Sequence, residues 1–227
     1  MSKRLTSEEL EQDVLIEYSS RALHYYQTNK ATVIGGSIAI VVLIAMLIGY
    51  FVYSADQEQK AQVMLGIAEQ ALLEGDLTRA LYGNENDFTL GFAQIANNFG
   101  RTDAGNLANY YAAVTEYELG NPQDALVFIE RFRAPSSIVG VGPVSLHGVI
   151  LSDLGEYEAA AAKFIEAANW SLNESTTPNN LLQAAQAYIA AGNHAEARRV
   201  VERIINEYPQ SQDMTEAQRL SGYLANL

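Results

Sequence analysis

One uncharged segment constrains the fold of this chain more than any other feature. Residues 31–53, which read ATVIGGSIAIVVLIAMLIGYFVY, form a run of 23 without Asp, Glu, Lys or Arg. As a helix rising about 1.5 Å per residue, this run is roughly 34 Å long, enough to cross the hydrocarbon core of a bilayer. Tyr26 precedes the run and Tyr53 closes it, which is typical of membrane interfaces. A buried core helix rarely runs so long without a polar face, so we predict a transmembrane helix.

The flanks of this segment predict an uncleaved anchor whose N-terminus lies in the cytoplasm. Secretory signals start with a short basic region and end in small residues before the cut. Here 30 residues with five acids come first, and Tyr53 disrupts the small-residue site that ends at Ala55. Lys and Arg favour the cytoplasmic side. The tail holds four of them, Lys3, Arg4, Arg21 and Lys30, whereas only Lys60 lies close behind the anchor.

Composition excludes several classes of site and partner. The chain has no cysteine, so disulfides, thiolate metal sites and cysteine nucleophiles are ruled out. The formal net charge is −13. The first 53 residues hold five of the 27 acids and four of the 14 bases, so the remainder carries an excess of twelve acids. Such a surface repels phosphates, and we therefore expect no nucleic acid partner.

Residues 1–30 are predicted to form a cytoplasmic tail with a short amphipathic helix. Thr6 followed by Glu9 is a capping-box signature. An apolar face then recurs at helical spacing. Its members are Leu10, Val14, Tyr18 and Ala22. The domain organisation is therefore a tail over residues 1–30, an anchor over residues 31–53 and a soluble domain over residues 54–227.

The soluble domain has helical periodicity throughout. No glycine or proline interrupts residues 50–65, so the anchor helix is expected to continue and to end near Gly75. Loop residues interrupt the rest of the domain, including predicted loops over residues 134–143 and 173–180. No alternating pattern of strand length occurs. We predict an all-α fold.

The spacing of the glycine turns predicts a repeat. Gly120, Gly155 and Gly192 are separated by 35 and 37 residues, close to a 34-residue period. Each is followed five residues later by an alanine, at Ala125, Ala160 and Ala197. These patterns resemble the tetratricopeptide repeat (TPR), in which stacked helix hairpins share a core. We predict a transmembrane helix followed by a TPR α-solenoid of about three to four hairpins.

The individual repeats match this pattern to different degrees. The third matches best, with an apolar pattern, a glycine turn and Pro209 at its end. Its residues are Leu181, Ala184, Ala185, Tyr188, Gly192 and Ala197. The second has Gly148 and Phe164 in register, and the first places Glu116 where an aromatic residue is usual. An upstream hairpin is degenerate: Gly75 and Ala80 fit the pattern, but Phe88, Phe92, Ile95 and Phe99 suggest that an inserted loop displaces its second helix. Residues 213–224 are the expected terminal helix.

The whole chain resembles a known bacterial family. A short tail, one anchor and a TPR domain are similar to the YfgM-like ancillary subunit of the SecYEG translocon, in its Bacteroidetes-type version. The most specific residues are Gly91, Phe92, Thr102, Ala104, Gly105, Asn106, Leu107, Ala108, Tyr110, Tyr111, Leu119 and Gly120. The resemblance implies the bacterial inner membrane, a periplasmic domain and a chaperone-like role without catalysis. Its implied partners are translocon subunits, a membrane-anchored periplasmic chaperone or prolyl isomerase, and unfolded clients.

Two surfaces are candidate contact sites. By repeat register, the first helices of the hairpins place an aromatic and aliphatic strip along a groove suited to apolar segments of other proteins. The strip comprises Tyr110, Val114, Tyr117, Glu118, Val149, Gln186 and Ile189. In the anchor, small residues four apart permit close helix approach in lipid. They are Gly35 with Ala39 and Ala45 with Gly49.

No residue constellation predicts catalysis. Phosphate-binding loops, HExxH and GxSxG motifs are absent, and the three histidines, at positions 24, 147 and 194, are far apart in sequence. We expect no enzyme, no cofactor, no metal and no small-molecule substrate. Two hypotheses remain for the domain. One is an accessory subunit of the Sec translocon, and the other is a scaffold or adaptor of another cell-envelope complex, in cell-wall synthesis or outer-membrane assembly.

Overall fold

The computed structural model describes residues 7–227, with side chains from Glu17 onward. The chain divides into two compact units, Met1–Ala55 and Asp56–Leu227. The helices are α1 (Ser7–Thr28), α2 (Lys30–Leu73), α3 (Leu77–Tyr82), α4 (Phe92–Phe99), α5 (Asp103–Glu118), α6 (Pro122–Arg131), α7 (Val141–Asp153), α8 (Tyr157–Trp170), α9 (Thr176–Ala190), α10 (His194–Glu207) and α11 (Met214–Leu224). Residues 7–227 contain no strand, which agrees with the all-α prediction.

The first unit contains α1 and the start of α2. Thr6 of the predicted capping box lies outside the described residues, as do the side chains of Glu9, Leu10 and Val14. Helix α2 contains the uncharged run, and none of its most apolar window is buried. Within residues 7–227 it is the one helix long and apolar enough to cross a membrane, judged by length and composition. The transmembrane assignment stays a prediction, based on the length and the composition of this helix.

Four turns in the second unit share one geometry. Gly75, Gly120, Gly155 and Gly192 all have φ between 76° and 82°, a region in which residues with a side chain are strained. At Gly120 the glycine N–H donates to the carbonyl of Tyr117 at 3.0 Å, and the next N–H, of Asn121, donates to Glu116 at 2.9 Å. The other three turns repeat this Schellman pattern. The predicted glycine turns are therefore confirmed.

The alanine that follows each turn lies at a helix contact. Ala80, Ala125, Ala160 and Ala197 are all fully buried. A Cβ on Gly148 would lie 2.8 Å from the ring of Phe164, so this glycine also allows close packing. Helix pairs α5 with α6, α7 with α8, and α9 with α10 form hairpins, and each hairpin packs on the next. The predicted repeat register is confirmed by these contacts.

The core is a chain of clusters between neighbouring hairpins. The first cluster joins the end of α2 to α3, α4 and α5, through residues such as Leu65, Leu81 and Phe92. The last extends from α7 to α11, and Ala217, Leu220 and Leu224 of α11 are buried in it. Arg198 donates a hydrogen bond to the carbonyl of Leu224, which holds α11 against α10. Helix α11 thus covers the end of the stack, as predicted for residues 213–224.

Three predicted boundaries were wrong. In the first hairpin, α4 with Phe92, Ile95 and Phe99 is displaced from α3 by an inserted loop as predicted, but Phe88 lies in that loop rather than in a helix. The predicted loops over residues 134–143 and 173–180 are shorter, because α7 includes Pro143 and α9 includes Pro178 and the buried Asn180. Both prolines occupy the first turn of a helix, where the backbone nitrogen needs no intrahelical partner.

Candidate functional site

The start of α5, where the family resemblance is most specific, is capped by a side chain from α2. Glu58 accepts hydrogen bonds from the backbone N–H groups of Asp103 at 2.6 Å and Ala104 at 3.1 Å. Thr102 adds the local cap, because its hydroxyl accepts from the N–H of Gly105 at 2.9 Å. These bonds satisfy donors that the first turn of a helix leaves unpaired, and negative charge is favourable there.

The same segment holds two neighbouring elements close to α5. A Cβ on Gly105 would lie 1.9 Å from the carbonyl oxygen of Phe99, so α4 approaches α5 at a distance that only glycine allows. The side-chain amide of Asn106 donates to the carbonyl of Arg133 at 3.0 Å and accepts from its N–H at 2.8 Å. The motif residues Thr102, Gly105 and Asn106 therefore have structural roles that explain their types.

The aromatic residues of the predicted groove are half-buried between helices. The ring of Tyr110 packs against that of Phe132, with centroids 5.4 Å apart, and burial raises the pKa of Tyr110. The hydroxyl of Tyr117 donates to Asp153 at 2.6 Å, which links α5 to α7 and raises the pKa of Tyr117. Both rings also pack on the small cluster around Ala113 and Ile150. They contribute to the core as well as to the surface.

The other groove residues lie in three different environments. Val149 and Gln186 line one cleft of about 220 Å³ together with Asp153, so Tyr117, through its bond to Asp153, is connected to this cleft. Ile189 packs on the C-terminal core. Val114 is partly exposed and Glu118 is exposed. The structure thus brings Val149 and Gln186 together in one cleft and links Tyr117 to Asp153 at its wall. The assignment of the whole strip as a binding groove stays a prediction.

Two larger clefts were not found by sequence reasoning. One, of about 710 Å³, lies between the starts of α7 and α9 and the loop before α11, and it is lined mainly by polar residues such as Asn179 and Gln212. The other, of about 400 Å³, lies among α6, α7 and α8 and includes Phe132, His147 and Trp170. Each is lined by three separate segments of the chain, residues 138–145, 174–180 and 210–213 in the first cleft and residues 129–134, 143–147 and 163–170 in the second, so no local pattern in the sequence indicates them.

His147 lies in the second of these clefts beside charged side chains. Burial and the nearby Lys163 lower the pKa of His147, while Glu130 and Glu166 oppose that change. The charges come from α6 and α8, so the environment of His147 depends on hairpin packing. Throughout the described side chains, no group of three or more His, Cys, Asp or Glu residues is arranged to hold a metal ion.

The four small residues of the anchor are exposed. Gly35, Ala39, Ala45 and Gly49 are solvent-accessible, and no atom lies within 4 Å of a Cβ built on Gly35 or Gly49. This leaves space for a neighbouring helix. Their role as a contact surface in a membrane stays a prediction.

The second unit, Asp56–Leu227, has the geometry of a TPR-like helical solenoid. Residues 178–218 match the family model for a tetratricopeptide repeat, and this range covers the repeat that fits the sequence pattern best. No curated protein matches the chain. Among solved structures, the chain is similar to a Podosopora anserina protein described as a kinesin light chain with nearly identical TPR-like repeats. The TM-score is 0.51, with 13% identity over 74% of this chain and 94% of that chain.

These findings give the fold class of residues 56–227, a TPR-like helical repeat. The TPR fold is a scaffold that mediates contacts between proteins and is generally not enzymatic. Helical repeats of this kind present side chains from successive hairpins along one extended surface.

Proposed function

We propose that this protein is a membrane-anchored TPR interaction module that serves as an accessory, chaperone-like subunit of the bacterial Sec translocon. In this proposal α2 crosses the inner membrane, residues 1–30 lie in the cytoplasm and residues 54–227 lie in the periplasm. The domain contacts emerging clients, a partner chaperone or prolyl isomerase, or both.

One observation carries the proposal. A TPR-like stack follows directly, within the single helix α2, from an exposed apolar run long enough to span a bilayer. This arrangement supports a protein-binding domain held at a membrane surface. The resemblance around residues 91–120 supports the translocon as the complex, and the exposed small residues Gly35 and Gly49 leave room for a neighbouring membrane helix.

The cleft lined by Val149 and Gln186 gives the proposal a testable surface. The side chain of Gln186 is exposed, so a larger residue there fills the cleft without entering the core. Ala195, on α10, is also exposed and does not line this cleft. Gln186→Trp and Ala195→Trp are therefore a matched pair that add the same side chain at two exposed sites.

The experiment is affinity purification of the tagged full chain from bacterial membranes in mild detergent. The native chain and Ala195→Trp are expected to recover translocon subunits, and Gln186→Trp is expected to recover fewer. Recovery of cell-wall or outer-membrane assembly proteins in their place would favour the scaffold hypothesis and reject the translocon role. Equal recovery by Gln186→Trp would keep the interaction role but move the contact surface away from this cleft.

A further inference from the structure

The two ends of the loop between α3 and α4, residues 83–91, lie close together in backbone contact. Asn84 and Thr89 form an isolated antiparallel bridge, with N–H···O distances of 3.0 and 3.1 Å in the two directions. A Cβ on Gly83 would lie 2.2 Å from the carbonyl oxygen of Thr89, and a Cβ on Gly91 would lie 2.3 Å from that of Leu81. Both ends of the Phe88 loop, as we call residues 83–91, are therefore in backbone contact that larger residues do not permit.

The interior of the Phe88 loop is held by one carboxylate. Asp87 accepts from the hydroxyl of Thr89 at 2.6 Å and from its N–H at 3.2 Å, and it pairs with Arg79 of α3 at 3.1 Å. The amide of Asn84 donates to Asp87 at 3.3 Å, and its oxygen accepts from the N–H of Asn86 at 3.0 Å. The hydrogen bond from Thr89, together with Arg79, lowers the pKa of Asp87. These bonds connect Asp87 to Asn84, to Thr89 and to Arg79 of α3.

Phe88 is unfavourable for the isolated protein in two respects. Its φ is +57°, and it is the one residue other than glycine with a positive φ in the described chain. A bulky side chain in this region is strained, whereas Gly or Asn adopts it easily. Its side chain is also 91% exposed, so the ring gains no burial in return. Strain that is held in place by surrounding structure and yields no packing indicates a functional constraint.

The chemistry around Phe88 indicates what it contacts. A single exposed ring on a hydrogen-bonded, closed loop fits an apolar pocket, and a preorganised aromatic anchor loses little entropy on binding. Glu85 is exposed on the same loop, and the domain carries excess negative charge. An anionic lipid surface is disfavoured by these charges, whereas a protein pocket with a basic rim is favoured.

We propose that Phe88 is an anchor residue that inserts into an apolar, basic-rimmed pocket of another protein. The inference rests on the interaction role proposed above but concerns a surface separate from the cleft at Gln186. Phe88→Asn removes the ring and relieves the strained backbone. It is therefore expected to weaken partner binding while the melting temperature stays the same or rises.

The test uses the full chain in membranes, with photo-reactive benzoyl-phenylalanine introduced at position 88. The same probe at Leu172, which is 64% exposed in the loop after α8, is the matched control. A discrete adduct with one protein is expected from position 88 only. Co-expressed native chain should compete for that adduct, and the Phe88→Asn chain should compete about thirtyfold less well, the usual loss for an interface anchor. Higher salt should reduce the yield, because the basic rim attracts the acidic loop.

Each other outcome overturns the inference. Equal competition by Phe88→Asn, or the same adducts from Leu172, would show that Phe88 is not an anchor. An adduct of twice the chain mass would identify a second copy as the occupant, and a lipid adduct would identify the bilayer. A yield independent of salt would reject the basic rim. If translocon subunits still copurify in the experiment above, such a result rejects the anchor alone and leaves the proposed function standing.

Discussion

The hydroxyl of Tyr82 in α3 donates a hydrogen bond to the buried carboxylate of Glu116 in α5, at 3.2 Å. The second oxygen of Glu116 accepts from the side-chain amide of Asn121 at 2.9 Å. Glu116 occupies the repeat position at which an aromatic residue is usual, and it is 3% exposed. A buried carboxylate is costly unless hydrogen-bonded, so these two donors explain why the first repeat can depart from the pattern at this position.

Tyr82→Phe is expected to destabilise the domain by about 1–3 kcal/mol, because the carboxylate of Glu116 loses one of its two donors. Chemical denaturation of the two proteins measures this difference. Tyr223→Phe is the control, since the hydroxyl of Tyr223 is at an exposed position on α11. In a Glu116→Leu background the cost of Tyr82→Phe should disappear. A cost that persists there would show that the hydroxyl acts through another partner.

Ala197→Trp is expected to lower the free energy of unfolding by about 1–3 kcal/mol or more, because this fully buried alanine marks a close helix contact. For a domain of this size the melting temperature should fall by roughly 2 °C or more. Ala195→Trp adds the same side chain two residues earlier, at an exposed position on the same helix, and should leave the melting temperature nearly unchanged. Equal melting temperatures for the two variants would contradict the repeat register.

His147 should make the domain less stable in mild acid. Its pKa is lowered in the folded state by burial and Lys163, so its neutral form is favoured there. As the pH falls through about 6.5, the unfolded chain takes up this proton more readily than the folded chain, and stability decreases. Denaturation midpoints at pH 7.5 and 5.5 measure the effect.

Two variants test this assignment. His147→Gln should reduce the loss of stability between the two pH values. Lys163→Met should also reduce it, because one of the two causes of the lowered pKa is removed. Native pH dependence in both variants would assign the acid sensitivity to other groups.

Substitutions of the tyrosines in the predicted groove should distinguish their contribution to stability from their contribution to partner binding. Tyr110→Ala is expected to cost about 2 kcal/mol or more, because the half-buried ring loses its contact with Phe132. Tyr117→Phe removes the bond to Asp153 but keeps the ring, and should cost only about 0.5–1.5 kcal/mol. Melting temperature and partner crosslinking are measured on the same proteins.

If the ring of Tyr117 contacts partners, crosslinking should persist in Tyr117→Phe and fall in Tyr117→Ala. The double variant Tyr110→Ala with Tyr117→Ala should lose the most crosslinking. Unchanged crosslinking in a folded double variant would place the contact surface elsewhere.

The orientation of the anchor is testable with a reporter. Alkaline phosphatase fused after Leu227 should be active, because that enzyme folds only outside the cytoplasm and the basic tail favours the cytoplasmic side. A fusion after Lys30, before the uncharged run, should be inactive and serves as the control. A stable but inactive fusion at Leu227 would reverse the proposed orientation.

Much of the fold was accessible from local patterns. The glycine turns at Gly75, Gly120, Gly155 and Gly192, and the alanine five residues after each, are found in the structure with the predicted geometry and burial. The spacing of the glycine turns indicated a break in the first hairpin, but it did not indicate the closed conformation of the loop. The phenylalanines indicated an inserted loop and a displaced helix, but only the structure shows that Gly83 and Gly91 close this loop with Phe88 exposed.

The candidate sites were less accessible. Repeat register placed Val149 and Gln186 on the first helices of neighbouring hairpins, and they do share a cleft. The same register assigned Tyr110 and Tyr117 to a surface, yet both also pack into the core, because an aromatic ring at the edge of a hairpin contacts the next hairpin as well. The clefts around His147 and Asn179 depend on loop positions, for which the sequence has no periodic signal.

The sequence by itself determined the long apolar helix, the helical hairpins, the positions of their turns and the alanines at their contacts. Each of these follows from a few neighbouring residues, through glycine's access to positive φ and the 3.6-residue period of an apolar stripe. Only the tertiary structure decided that Glu58 caps α5, that Tyr82 and Asn121 satisfy Glu116, and that Phe88 is exposed on a strained loop. Polar side chains carry no such period, so their partners depend on how closely and at what angle distant helices pack.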